Sequence, residues 1–251
     1  MSRAKPSVTA SLSLLLVALA PQAQASVVAT VELATDRDFR GITQTAQDPS
    51  LAVTVEYSGK GLDLGASAAN AKLGREDPAL AGRVMSDPSL EIDLMLGAHG
   101  AFSRHVRWQG GFIYHTFEID SLRSYPEVYA SVTWEWLTLR TTWTNEFNGV
   151  HEDANYNELV IDFPLGEGVT LGGHIGFSEG EYWNRRGDAY YDVGARVGYR
   201  AGAWQWYVNW VDGSDFTRQY RVSDGFRSSE GRVILSVSRR FDLSRESRPQ
   251  P

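Results

Sequence analysis

The sequence predicts an all-β protein, an antiparallel transmembrane β-barrel of about 12 strands. Three observations predict this fold: apolar and polar residues alternate in segment after segment, the gaps between segments are alternately short and long, and aromatic residues gather near segment ends. Alternation at period two indicates strands whose two faces meet different surroundings. Short turns that alternate with long loops are typical of barrels in bacterial outer membranes.

The segment 90–99 shows the alternation most clearly. Its apolar residues, from Leu90 to Ala98, occupy every second position, and Glu91, Asp93 and His99 lie on the other face. The same pattern predicts twelve strands, at 27–35, 49–58, 61–69, 89–99, 105–116, 126–134, 136–144, 156–163, 168–177, 189–200, 203–211 and 230–241. The connections after the even-numbered strands are short, and those after the odd-numbered strands are long and polar. We therefore expect periplasmic turns and termini, with the long loops outside.

The two ends of the chain differ from the region between them. Residues 1–25 predict a signal peptide, since Arg3 and Lys5 precede a short apolar run and Ala23-Gln24-Ala25 supplies a cleavage site. Residues 26–241 form the predicted barrel, and the polar segment 242–251 predicts a disordered tail. The expected location is the outer membrane of a Gram-negative bacterium.

The composition excludes some functions and partners. Without Arg3 and Lys5 of the leader, the net charge of −7 becomes −9, which argues against nucleic acid as a partner. The chain has no cysteine, so it has neither disulfides nor thiolate metal ligands. We expect no cofactor and no metal. The expected partners are the lipid bilayer, lipopolysaccharide, the barrel-assembly machinery and small hydrophilic solutes, and we expect a monomer.

The apolar face of each strand should point outward, because lipid is the solvent of a closed membrane barrel. The predicted outward residues are Val53, Val55, Tyr57, Leu137, Leu139, Trp143, Leu159, Ile161, Phe163, Val169, Leu171, Ile175, Val193, Val197, Tyr199, Trp204, Trp206, Val208 and Trp210. Two aromatic girdles are expected at the membrane surfaces. The periplasmic girdle would contain Tyr57, Trp108, Trp134, Trp136, Tyr199, Trp204 and Phe241, and the outer girdle Tyr114, Trp143, Phe177 and Trp210.

The opposite face should line the lumen with charged side chains. The predicted lumenal residues are Glu32, Glu56, Asp63, Glu91, Asp93, Arg107, Glu127, Arg140, Glu158, Asp162, Asp192, Arg196, Arg200 and Arg232. The first four strands contribute only acids, whereas strands ten and twelve contribute mostly arginines. This distribution allows either a transverse field across a narrow aqueous pore or a lumen filled by ion pairs.

The first long loop carries the most specific motif, Asp36-Arg37-Asp38-Phe39-Arg40-Gly41-Ile42-Thr43-Gln44-Thr45. It resembles the N-terminal signature of the TorF-type porin family, bacterial outer-membrane proteins of unknown function. Arg37 stands where that family usually has tyrosine, and Thr43 where it usually has serine. The segments 91–94 and 125–130 are also similar to the family. The resemblance implies an outer-membrane barrel and a channel, without an established substrate. The residues that match the motif and form the candidate loop site are Asp36, Phe39, Arg40, Gly41, Gln44 and Thr45, together with Thr35.

The motif also has a direct physical interpretation. Gly41 allows a turn with positive φ, Phe39 can anchor the loop on the barrel wall, and Arg40 can bind a lumenal carboxylate bidentately. A loop clipped to the barrel is favoured over direct solute binding. We predict no catalytic residues, because no histidine has a serine two positions later on its strand, the arrangement of a barrel lipid hydrolase.

Three functions therefore compete. The leading one is a porin-like channel for passive diffusion of small hydrophilic solutes or ions, with a modest preference for cations. The second is a closed barrel with a structural or surface-interaction role. The third is a barrel lipid hydrolase with a triad assembled across strands, for instance around His115 or His174.

Overall fold

The computed structural model describes residues 25–73, 89–118, 123–185, 189–213 and 229–244. Its strands are β1 (Ser26–Ala34), β2 (Asp38–Phe39), β3 (Ile42–Thr43), β4 (Ser50–Gly59), β5 (Leu62–Asn70), β6 (Leu90–Ala101), β7 (Val106–Phe117), β8 (Tyr125–Trp134), β9 (Leu137–Thr144), β10 (Ala154–Gly166), β11 (Val169–Glu179), β12 (Tyr190–Ala201), β13 (Trp204–Gly213) and β14 (Arg232–Asp242). A 3-10 turn at Phe147–Gly149 and a four-residue helix α1 (Glu181–Asn184) lie in two of the loops. No helix within the described residues is long and apolar enough to cross a bilayer.

Twelve of the strands form one closed barrel, in which each strand pairs antiparallel with its neighbours in the chain. The short strands β2 and β3 form a separate two-stranded hairpin. The barrel closes between β1 and β14, from Val28 opposite Asp242 to Ala34 opposite Ser236. Closure pairs both edges of every wall strand, as a bilayer requires. The predicted fold class and the strand number are confirmed.

The last wall strand extends beyond its predicted end at Phe241. Asp242 pairs with Val28, and the Leu243 amide donates to the Val27 carbonyl at 2.9 Å. The beginning of the predicted tail is therefore ordered, because β1 supplies ladder partners for it. Residues 245–251 and residues 1–24, which hold most of the predicted signal peptide, lie outside the described residues.

The barrel has two unlike ends, which we call the turn end and the loop end. The turn end carries the short connections. At one of them, Lys60 and Gly61 have φ of 54° and 78°, the pair of positive φ values that a tight type I′ hairpin needs. The loop end carries six longer connections, at 35–49, 71–89, 118–124, 145–153, 180–189 and 214–231.

The apolar face of the wall points outward. Fifteen of the nineteen predicted outward residues are exposed, and Tyr57, Leu137, Val169 and Val193 are half-buried. Aromatic residues are exposed at both ends of the barrel: Trp134, Trp136, Tyr199, Trp204 and Phe241 at the turn end, and Tyr114, Trp143 and Trp210 at the loop end. Such a surface would be unstable in water but is suited to lipid and its headgroups.

We expect Leu96→Arg to destabilise the folded protein in a bilayer by about 2–4 kcal/mol, the cost of arginine on the lipid face near the midplane. Leu96 lies in the middle of β6 and is 52% exposed on the outer face. The matched control is Met95→Arg, since Met95 lines a lumenal cavity beside Glu56. Refolding equilibria in lipid vesicles measure both variants. Equal losses in the two would contradict the assignment of the faces.

Candidate functional site

The candidate site is built by the first long loop, residues 35–49, which we call L1. L1 contains the β2–β3 hairpin and enters the barrel at its loop end. A network around one carboxylate shapes it: Asp36 Oδ1 accepts hydrogen bonds from the Arg37 amide at 2.8 Å, from Thr45 Oγ1 at 2.8 Å and from Thr43 Oγ1. Thr43 and Thr45 are completely buried. These bonds explain why the motif combines an aspartate with two hydroxyl residues.

Arg40, at the tip of the hairpin, is buried in a polar and aromatic cage. Its Nη2 donates to Glu127 Oε1 at 2.5 Å and to Thr142 Oγ1 at 2.9 Å. The guanidinium carbon lies 4.5 Å from the ring centre of Phe39 and 4.7 Å from that of Tyr156. Burial would lower the pKa of Arg40, but Glu127 outweighs burial and holds this pKa above its ordinary value. Arg40 therefore remains a cation inside the barrel.

The binding geometry of Arg40 differs from the predicted bidentate ion pair. One nitrogen binds the carboxylate of Glu127, and the same nitrogen also binds the hydroxyl of Thr142. The Arg40 carbonyl accepts a further hydrogen bond from the Tyr190 hydroxyl at 2.9 Å. Three wall strands thus bind the tip, β8 through Glu127, β9 through Thr142 and β12 through Tyr190.

Gly41 allows the hairpin to fit against the wall. Its φ is 81°, as predicted, and a Cβ at this position would lie 2.6 Å from Cβ of Asp192. Any larger residue would both strain the backbone and collide with β12. The neighbouring Arg40 also has a positive φ, 55°, although it is not glycine. Arg40, whose guanidinium fills the cage, therefore has a backbone conformation that is unfavourable for a residue other than glycine.

L1 joins the acidic and basic sides of the lumen. Arg232 Nε donates to Asp36 Oδ2 at 2.6 Å, its Nη1 to the Gly41 carbonyl at 3.0 Å, and its Nη2 to Asp38. On the acidic side Arg37 pairs with Glu91. Burial raises the pKa of Asp38 to about 6, against the opposing effects of Arg232 and the Gly41 amide. L1 thus pairs Arg37 and Arg40 with acids of the wall, and Asp36 and Asp38 with Arg232 of the wall.

We expect Arg232→Lys to destabilise the protein by about 1.5–3 kcal/mol, the value of a hydrogen bond to a charged group. A lysine ammonium lacks the planar fork that reaches Asp36, Asp38 and the Gly41 carbonyl together. Thermal unfolding in detergent measures the loss. Arg200→Lys is the control, because the Arg200 side chain is exposed at the turn end and donates one hydrogen bond, to Gln205 Oε1 at 2.7 Å. An unchanged midpoint for Arg232→Lys would contradict this network.

The other predicted lumenal charges fall into two groups. Some are paired: Asp63 with His99 at 2.9 Å, Asp93 with His115 at 2.8 Å, and Asp162 with Arg196. Others line cavities or the rim: Glu56, Arg140 and Glu158 line one cavity, Glu32 lines another, and Arg107 and Arg200 are exposed at the turn end. At the loop end, L1 therefore fills the lumen with ion pairs, whereas the middle of the barrel keeps lumenal charges around open space.

Histidines pair with carboxylates throughout the described residues. His174 lies 2.9 Å from Asp192, His105 pairs with Glu135 at 2.9 Å and His151 with Glu146 at 2.8 Å, besides the pairs of His99 and His115. A lipid hydrolase would need a hydroxyl nucleophile beside such a ring.

Glu91, Asp93 and His115 place ligand atoms within 4.8 Å of one another, so this group has the donor types of a metal site. The Arg37 guanidinium already neutralises Glu91 there.

Cavities lined by described residues lie in the lumen beside and below L1. One of them, of about 470 Å³, we call the central chamber. It is lined by five carboxylates, by Arg40 and Arg140, and by aromatic residues that include Tyr129 and Tyr156. A cavity of about 230 Å³ shares Glu56 and Tyr129 with it and extends to Ser26 and Arg240 near the turn end. A third cavity, of about 300 Å³, lies between L1 and β11–β14.

Above the chamber, apolar side chains fill part of the loop end. This apolar cap consists of Ile42, Ala71, Leu73, Phe117, Tyr125, Phe147, Ala154, Tyr182, Trp183 and Tyr190, all buried. It joins L1 to three other loops and to the ends of four wall strands. The cap packs like the core of a soluble protein, with ring centres 4.6 Å apart between Phe147 and Tyr182. The sequence gives no sign of this cap, because six of its members lie in loops without a periodic pattern and the other four at the ends of separate strands.

The fold resembles that of known outer-membrane barrels. The KdgM porin in complex with disordered oligogalacturonate matches with a TM-score of 0.52 and 10% identity, over 86% of this chain and 99% of the porin. An outer-membrane channel from Pseudomonas putida F1 matches with a TM-score of 0.53 and 10% identity, over 89% and 100%. At this identity the likeness concerns the fold alone. No curated protein sequence is significantly similar to this chain.

The family of the chain follows from its sequence. A family model described as "Bacterial protein of unknown function (Gcw_chp)" matches residues 18–241, which include the whole L1 motif and all twelve wall strands up to Phe241. The match extends over most of the chain, so it is not a resemblance of one loop. This chain belongs to the Gcw_chp family of bacterial proteins.

Proposed function

We propose that this protein is an outer-membrane porin-like channel for the passive diffusion of small hydrophilic solutes or ions, and that it is of the TorF type. The turn end and both termini face the periplasm, and L1 forms the constriction. The observation that carries the proposal is the central chamber: the middle of the barrel holds a charged cavity of about 470 Å³ instead of a packed core. Charged groups that line a cavity inside a membrane mark a path for polar solutes.

The lining of the chamber supports a preference for cations. The carboxylates of Asp38, Glu56, Glu127, Glu158 and Asp192 outnumber the basic side chains of the lining, which are Arg40, Arg140, His115 and His174. Rings of carboxylates attract cations and repel anions in a narrow pore. No cofactor enters this function. Its partners are lipid, lipopolysaccharide and the barrel-assembly machinery, and the channel works as a monomer.

Planar-bilayer recording tests this function. We expect discrete conductance steps from the purified protein, and a reversal potential in a potassium chloride gradient that indicates preference for potassium over chloride. Heat-unfolded protein in the same detergent is the control. Anion preference would contradict the charge argument, and no steps under any voltage would contradict the channel itself.

The apolar cap favours a second candidate, a closed barrel with a structural or surface-interaction role. Arg40 and Arg232 bind L1 to the wall, and the cap packs above it. The loop end therefore offers little free space among the described residues. In that case the protein would give no conductance, but the Arg40→Ala variant would also give none. A variant that conducts while the native chain does not would show a channel held shut by L1.

A further inference from the structure

We propose that the cage around Arg40 is a binding site for guanidinium-type organic cations, and that Arg40 occupies it as an internal substitute for such a solute. This inference rests on the proposed channel function and names the solute class of that channel. The cage meets the chemical needs of a guanidinium ion on each side. Glu127 supplies the negative charge, Thr142 a hydroxyl acceptor, and Phe39 and Tyr156 two aromatic faces.

The wall alone keeps most of these contacts when L1 is removed. Glu127, Thr142 and Tyr156 belong to β8, β9 and β10, so they are fixed by strand pairing and do not depend on the loop. Phe147, whose ring centre is 5.9 Å from the Arg40 guanidinium, lies in the loop between β9 and β10. An empty cage would therefore leave a buried carboxylate without its main cationic partner, and a planar cation with several N–H donors is the ligand that restores both charge and hydrogen bonds.

The cage opens onto the path of a solute. Arg40, Glu127, Thr142 and Tyr156 all line the central chamber. A solute that carries a guanidinium on a short alkyl chain could place its head in the cage and its tail in the chamber, beside Met95 and Ile113. Glu56 and Glu158 on the chamber wall suit a second cationic group at the other end of the chain.

The internal competitor is weakened by its own backbone. Arg40 has φ of 55°, a left-handed conformation that costs energy in a residue other than glycine, so leaving the cage relieves strain. L1 is also held by Arg37, Arg232 and the cap residue Ile42, so Arg40 competes at an effective concentration above the millimolar value of a flexible tether. Free guanidinium compounds at high millimolar concentration should therefore compete with Arg40 and release L1.

The first experiment measures the site itself. Purified Arg40→Ala protein in detergent is titrated with ethylguanidinium at millimolar, non-denaturing concentrations. We expect the unfolding midpoint to rise by about 2–5 °C near saturation, with no rise for ethylammonium or for sodium chloride at equal ionic strength. The matched variant Arg40→Ala/Glu127→Gln should show no rise. Equal rises in both variants, or with ethylammonium, would overturn the proposal.

The second experiment keeps Arg40 in place, so it does not depend on whether Arg40→Ala folds. The chain has no cysteine, which allows a single reporter, Ile42→Cys, at a buried position of the apolar cap. Agmatine, which combines a guanidinium with an amine, should accelerate maleimide labelling of this cysteine several-fold. It should not affect labelling of the exposed control Lys60→Cys. No acceleration at any millimolar concentration would overturn release of L1 by the cation.

The channel function and the cation site can fail separately. Binding and release without conductance in bilayers would retain the site and refute the channel. Conductance that agmatine does not change, together with no midpoint shift for Arg40→Ala, would retain the channel and refute the site.

Discussion

Arg40→Ala is expected to lower the free energy of unfolding by about 3–5 kcal/mol, because it leaves the buried carboxylate of Glu127 without its guanidinium partner. The Arg40 and Glu127 side chains are only 7% and 3% exposed, so water screens their ion pair little in the native state. Arg40 also ties L1 to the wall through Thr142 and Tyr190. Thermal and denaturant unfolding in detergent measure this loss.

The same variant should also increase single-channel conductance, because the tip of L1 leaves the constriction. The control is Arg140→Ala, which removes an exposed arginine from the same chamber without touching L1. Adding Glu127→Gln to Arg40→Ala should recover part of the stability, since it removes a buried charge that His115, 3.5 Å away, compensates only in part. Lost stability with unchanged conductance would show that Arg40 only clips the loop to the barrel.

Gly41→Val is expected to have the second large effect, expelling the β2–β3 hairpin from its place against β12. A β-branched residue at φ of 81° is strained by about 1–2 kcal/mol, and its Cβ would collide with Asp192, which adds about 1–3 kcal/mol. Since Asp192 belongs to the paired wall, the loop must move instead. We expect lower thermal stability and a larger or noisier conductance.

Gly202→Val separates the two causes of that effect. Gly202 has φ of 60° in a turn at the other end of the barrel, and a Cβ there would meet no atom within 4 Å. It therefore carries the backbone strain without the collision. If both variants lose the same stability and neither changes conductance, the close contact of L1 with β12 has no functional role.

The wall of the barrel could be predicted because its pattern is local. Each strand shows its two faces within ten residues, as in β6, where Leu94 and Leu96 are exposed outside and Glu91 is buried inside. Turn residues such as Lys60-Gly61 fix the hairpins between neighbouring strands. The sequence also identified L1 as unusual through its motif, and it predicted the positive φ of Gly41 and a lumenal carboxylate for Arg40.

The contents of the barrel could not be predicted in the same way. The bond between Arg40 and Glu127 joins positions 87 residues apart, and that between Arg232 and Asp36 joins positions 196 apart. No local periodicity connects such residues, and a loop sequence does not say whether it extends into water or folds into a lumen.

By itself, the sequence determined a closed twelve-stranded sheet with apolar side chains outside and charges inside, because alternation at period two is a property of each strand. Only the tertiary structure decided that L1 folds inward, that its arginines and carboxylates pair with both sides of the wall, and that an aromatic cap lies above a charged chamber. The physical reason is that these contacts depend on the relative positions of strands around the barrel, which exist only after the sheet has closed.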